Sequence, residues 1–146
     1  MPPPIRFVVQ NLIQAEAALR AGYERHAAVI LESPPGAARY WGPMYFMALI
    51  EAARASVPEA DWEAVLDCGE APSLAIEALR RGVRAVRVTG NSDSVAAVSD
   101  IALQLGGRVE PAPRPEMLDL SQARDPLEAA RRAFDAVPNR DLAAER

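Results

Sequence analysis

Apolar positions along the chain fall into two alternating patterns. Short runs, Ile5-Arg-Phe-Val-Val9, Ala27-Ala-Val-Ile-Leu31, Ala64-Val-Leu66, Val83 to Val88 and Arg108-Val-Glu110, read as strands, and the second, which shows no alternation, as one covered on both faces. Between them, apolar residues recur at helical spacing: Leu12, Ala15 and Leu19; Phe46, Leu49, Ile50 and Ala53; Leu74, Ile76 and Leu79; Val95, Val98, Ala102 and Leu105. Boundary residues agree with this reading. Asn11 with Gln14 makes a capping-box pattern, Pro43 and Pro72 suit first turns, Ser92 suits a cap, and Gly22, Gly82 and Gly106-Gly107 suit stops.

Strict alternation of strand and helix predicts an α/β fold with a parallel sheet of about five strands and right-handed crossovers. Arg84 and Arg87 intrude on the fourth strand, so one end or edge of it is expected to reach water. After Glu110, Pro111, Pro113 and Pro115 break the pattern. Met117-Leu-Asp-Leu120 is then a short strand or an extended arm, and Asp125-Pro126 opens a last helix with Leu127, Ala130 and Phe134 on one face. The end from Pro138 on is polar and expected to fray. The chain thus divides into an α/β unit over 1–110 and a Pro-rich arm with a C-terminal helix over 111–146.

Composition narrows the function classes. With 146 residues, half of them hydrophobic, a quarter charged and a net charge of −4, the expectation is one soluble globular domain in the cytoplasm. No apolar run is long enough for a membrane span, and Met1-Pro-Pro-Pro4 is not a signal-peptide start. The mild acidity and the lack of a basic, aromatic-interleaved stripe set nucleic acid aside as a partner. All 16 basic residues are arginines, which rules out a Schiff-base lysine and a phosphate-loop lysine. One histidine, His26, next to Arg25 and expected in a solvated loop, excludes a three-histidine zinc site within the chain.

The candidate chemistry gathers in Ala64-Val-Leu-Asp-Cys-Gly-Glu70, which delivers Asp67 and Cys68 to the start of a helix. Asp67 is either an acid–base carboxylate or a loop cap. Cys68, the one cysteine, is either a reactive thiol or soft metal ligand, or a small residue filling apolar space. Glu32, Ser33, Glu70 and Thr89 also close or follow strands and so belong to the same end of the sheet. Carboxylates with one Cys and no His make a poor zinc set. The Gly90-Asn-Ser-Asp93 turn is weak as an anion site because Asp93 repels the ligand. Tyr40, Trp41, Tyr45 and Phe46 line a pocket mouth, close a long loop or centre a subunit contact.

The strings Phe7-Val-Val-Gln-Asn-Leu12, Val29-Ile-Leu-Glu-Ser33, Gly36-Ala-Ala-Arg-Tyr-Trp-Gly42, Leu66-Asp-Cys-Gly69 and Ala85-Val-Arg-Val-Thr-Gly90 come in an order and spacing that resembles the class II fructose-bisphosphate aldolases, over roughly residues 5 to 110. The loop around Gly36 is the most specific part. The resemblance implies half of a (β/α)₈ barrel, with chemistry at the carboxyl ends of the strands. It also implies a divalent metal, usually zinc, that stabilises an enediolate. Asp67 matches the family's acid–base Asp and Ser33 a substrate-side serine. Cys68 stands where the metal-binding His belongs, Ala112 where the fifth strand's metal-binding Glu belongs, Val8 in place of an Asn, and Thr89-Gly90 in place of an Asp-Gly. The other histidine ligands and the phosphate loops belong to later strands with no counterpart here.

The resulting expectation is a half-barrel or a flattened open sheet without fructose-bisphosphate aldolase activity, acting as a small-molecule-binding or regulatory oligomer. Ser33 and Thr89 are its substrate-side candidates, and no cofactor is expected. The alternative is a lyase or isomerase in which Asp67 moves a proton beside a zinc ion at Cys68. A five-stranded piece of barrel leaves sheet edges and a wide apolar inner face. A homodimer through the exposed edge and residues 115–136 is therefore expected, with a separately encoded half-barrel as the other partner to test for.

Overall fold

The computed structural model describes residues 3–111 and 116–136. Five strands alternate with four helices: β1 (Ile5–Val8), α1 (Leu12–Glu24), β2 (Val29–Glu32), α2 (Pro43–Ser56), β3 (Trp62–Asp67), α3 (Pro72–Arg80), β4 (Ala85–Arg87), α4 (Ser92–Gln104) and β5 (Arg108–Glu110). A two-residue strand β6 (Leu118–Asp119), a 3₁₀ turn over Leu120–Gln122 and α5 (Pro126–Ala136) follow. All pairings are parallel, in the order β5-β4-β3-β2-β1-β6. The sheet is open.

Local signals act largely where the chain pattern places them. Asn11 Oδ1 accepts from Gln14 N at 2.9 Å, and Gln14 Oε1 in turn accepts from Gln10 N at 2.7 Å, one residue before the cap. At α4 the cap is Asn91 rather than Ser92: its side chain accepts from Ser94 N at 2.8 Å. Gly22 lacks a side chain for a packing reason, because a Cβ there would lie 2.6 Å from Val29 Cγ1.

Sequential strand order with right-handed crossovers puts the helices on one face. The core divides accordingly. Phe7, Val9, Val29, Leu31, Leu66, Cys68, Val86 and Val88 pack with the helices, whereas Ile30, Val65 and Ala85 form a separate small group on the other face. Around that second group lie the alternate strand positions Arg6, Glu32, Asp67, Arg87 and Glu110. Arg6 Nη2 lies 3.1 Å from Glu110 Oε2, although β1 and β5 stand four strands apart. In a flat sheet that separation is about 19 Å, beyond the joint reach of the two side chains. The sheet is therefore curled like a section of barrel, with these residues on its concave side.

One end of the fourth strand reaches water at Arg84, which is exposed, but Arg87 does not: it is 1 % exposed, because period-2 geometry turns it into the concave face. Nor is that face a wide apolar patch, since arginine–carboxylate pairs tile it above a three-residue floor.

The segment after Pro115 docks on its own chain. Leu118 and Asp119 pair with Phe7 and Val8, covering the outer edge of β1, and α5 packs on α1. Phe134 meets Phe7 with ring centroids 6.0 Å apart. Arg131 holds Glu24 through two hydrogen bonds of 2.9 and 2.7 Å, and Arg25 pairs with Asp135. The outer edge of β5 has no strand partner among the described residues. Ala112, Pro113, Pro115 and the tail from Pro138 lie outside the described residues.

Candidate functional site at the carboxyl ends of the strands

Three of the expected site residues are joined by one hydrogen-bonded path across the ends of β2, β3 and β4. Ser33 Oγ accepts from Asp67 N at 2.8 Å, and Asp67 Oδ1 accepts from Gly69 N at 2.9 Å. Gly69 O then accepts from Thr89 N at 2.9 Å. Asp67 Oδ1 also accepts from Gly36 N at 2.9 Å. Gly36 and Gly69 both sit at positive φ, +68° and +55°, and a Cβ on Gly69 would lie 3.6 Å from Gly36 Cα. The loop that carries the strongest family resemblance is thus pinned to Asp67. Ser33 is 1 % exposed and Thr89 is half-buried.

Cys68 is on the opposite face of β3. Strand alternation sends Asp67 to the concave side and Cys68 into the helix-side core, where it is fully buried and its Sγ lies 3.7 Å from Leu66 O. Burial, with a smaller contribution from the Asp67 charge, pushes its thiol up to about 12. The sulfur faces the helix-side core, away from the concave-face carboxylates that would have to complete a metal site. Among the described residues no group of three or more His, Cys, Asp or Glu side chains is placed to hold a metal ion. Basic side chains stand between the concave-face carboxylates. This donor set does not fit zinc.

Of the concave-face charges, Glu32 and Asp67 are expected at this end of the sheet from the sequence, whereas Arg6, Arg87 and Glu110 are not among its candidates. Glu32 Oε1 receives Arg6 Nη1 at 3.0 Å and Arg87 Nη2 at 2.6 Å. Arg87 Nε donates to Pro111 O at 2.7 Å, and Arg87 Nη1 lies 3.8 Å from Asp67 Oδ2. Arg108 reaches Glu110 at 2.9 Å and Glu63 at 2.8 Å. Burial raises the Glu110 carboxyl, but hydrogen bonds and charge from Arg108 and Arg6 outweigh it and hold the group below the usual carboxylate range. Glu32 Oε2 and Arg87 Nη1 are buried without a hydrogen-bond partner among the described residues. The available signal was charge at every second position of otherwise apolar strands: Arg6, Glu32, Asp67, Arg87 and Glu110 share one face in that register.

The remaining candidates scatter. Glu70 is exposed, and Asn91 occupies the Gly90 turn as a helix cap. His26 is exposed in the α1–β2 turn at φ 52°, at the amino end of the sheet. Phe46 is core, and Trp41 meets Tyr45 edge-on at 5.2 Å. Tyr40 and Tyr45 are exposed.

No model of a known protein family matches the chain. Among curated proteins it is similar to a fructose-bisphosphate aldolase of Nostoc sp. (strain PCC 7120), with 34% identity over 90 residues. The match takes in 62% of this chain and 25% of the aldolase, so the chain aligns with about a quarter of that relative's length. The chain has an open, all-parallel α/β sheet and a distant likeness to one aldolase.

Proposed function

We propose that this chain is an aldolase-like half-barrel that does not cleave fructose bisphosphate and serves as a small-molecule-binding or regulatory oligomer. The observation that carries the reading is the commitment of Asp67 Oδ1 to two backbone amides, Gly36 N and Gly69 N, each at 2.9 Å. A carboxylate oxygen fixed this way anchors two loops, and the neighbouring thiol faces away into the core. Any ligand is taken at the Ser33 and Thr89 end of the sheet. Self-association uses the open β5 edge and the outer surface of residues 115–136, the inner surface of α5 being spent on α1. The parallel-sheet fold and the partial likeness to an aldolase support the ancestry, not the activity.

A second reading rests on a separate observation. Glu32 Oε2 and Arg87 Nη1 are buried without partners, and Arg87 Nη1 stands 3.8 Å from Asp67 Oδ2. Buried polar atoms without partners are uncommon in folded proteins, and a catalytic role is one of the reasons for which they persist. In this reading Asp67 moves a proton as a lyase or isomerase would require.

Untagged protein assayed with fructose 1,6-bisphosphate, with and without added zinc, separates the two. The first reading expects no aldol cleavage, a thermal shift with the same compound only if the binding end retains the family's preference, and an oligomer by light scattering. Turnover abolished by Asp67→Asn overturns it in favour of the enzyme.

A further inference from the structure

A pocket of about 350 Å³ opens at the other end of the molecule, around the first residues of β3, β4 and β5. Its apolar wall includes Trp62 and Met47. Gly82, at φ +106°, also lines it, and a Cβ there would make only an ordinary contact, 3.4 Å, with Met47 Cε. A thioether side chain of this kind adapts to the shape of what it touches. Size, apolar walls and a few charged groups at the rim match the usual make-up of small-molecule sites.

The rim charges decide the ligand class. Glu51 is neutralised by Arg54, with contacts of 2.5 and 3.0 Å. Glu63 is paired with Arg108 at 2.8 Å, a guanidinium it shares with Glu110, which Arg6 also holds. Arg84 also lines the pocket, is exposed, and has no ion-pair partner among the described residues. The pocket therefore presents one arginine without an ion-pair partner among the described residues beside an indole wall. We propose that it binds a small amphiphilic monoanion, a flat apolar body lying against Trp62 with a single carboxylate toward Arg84. This site is independent of Ser33, Asp67 and Thr89, which stand at the opposite ends of the strands.

The chain has two tryptophans, so Trp41→Phe leaves Trp62 as the reporter in the pocket. The probes are 3-phenylpropanoate and its neutral, equally shaped amide, titrated while Trp62 emission is followed. The expected result is a saturable change for the acid with a midpoint on the order of 1 mM, the affinity a ligand of that size supplies. The amide binds about fivefold more weakly, as loss of one solvent-exposed charge contact allows. Arg84→Gln, a change at an exposed position, brings the acid down to the amide's midpoint. No saturable response, equal midpoints for acid and amide, or an unchanged midpoint in Arg84→Gln each overturn the proposal.

Discussion

Arg87 on β4 donates to Glu32 on β2 at 2.6 Å across the intervening strand, and neither side chain is more than 1 % exposed. A charged pair this deep exists at a desolvation cost that its attraction only roughly offsets. The pair is better understood as filler of a special kind. A complete barrel closes its interior with side chains from eight strands. Here six strands curl around a three-residue apolar floor, and the long, hydrogen-bonding side chains of Arg6, Glu32, Arg87 and Glu110 occupy the remaining space.

That arrangement makes the first prediction asymmetric. Arg87→Met alone leaves Glu32 buried with only Arg6 and is expected to lower unfolding stability by about 3–5 kcal/mol. The double variant Glu32→Leu with Arg87→Met removes both charges and is expected to recover most of that loss, leaving the protein near its original stability. Urea unfolding of the single and double variants measures the difference. Equal losses in both would mean that the two side chains act through packing and not as a pair.

Asp67 is expected to respond to substitution according to hydrogen-bond capacity more than charge. Asn keeps an oxygen that can accept from Gly36 N and Gly69 N, whereas Ala keeps none. Asp67→Ala should therefore cost about 2–3 kcal/mol, the penalty for two stranded amides, and Asp67→Asn about 1 kcal/mol or less. Thermal or urea unfolding reads this directly. Faster amide exchange at Gly36 and Gly69 in the Ala variant alone would locate the loss in the two loops.

How much of this was readable beforehand depends on the range of the physical signal. Asn11, Pro43, Pro72 and Gly82 act within one turn of their own helices, and the elements they bound are where the chain pattern puts them. The parallel sheet follows from strict strand–helix alternation. The role of Arg87 was not readable, because the partners that bury it, Glu32 and Pro111, lie 55 and 24 residues away. Asp67 and Cys68 are adjacent in sequence and read as one unit there, but the two-residue period of the strand sends them to opposite faces. The docking of α5 on α1 was likewise invisible from α5 alone. Its apolar face showed only that something is covered, not whose surface covers it.

Acid should loosen the concave face through Glu110. Its carboxyl is held below the usual range in the folded chain, so its ionised contacts with Arg6 and Arg108 stabilise the protein fully above the unfolded carboxylate pKa. The contribution fades as pH falls below the ordinary glutamate range and through the lower, folded value. Glu110→Gln should flatten the acid limb of the stability–pH curve while lowering the plateau near neutrality. A variant with the wild-type acid slope would show that other carboxylates set that limb.

Cys68 supplies the opposite limb. Its thiol is pushed up to about 12 in the folded chain, against about 8.5 for a free cysteine. A raised folded pKa stabilises the protein fully below the unfolded value, and the contribution is lost as pH climbs from about 8.5 toward the folded one, because the unfolded chain releases its proton first. Stability should therefore fall across that window and fall less in Cys68→Ala, a substitution that leaves only a small void and is expected to cost about 1–2 kcal/mol at neutral pH. The same burial makes the thiol inert. An aromatic disulfide reagent should report almost no free thiol in the native protein at pH 8 and one per chain in denaturant. Rapid native labelling, or zinc retained through dialysis and lost in Cys68→Ala, would place this sulfur at the surface of a working site, and the assignment of Cys68 to the core would fail with it.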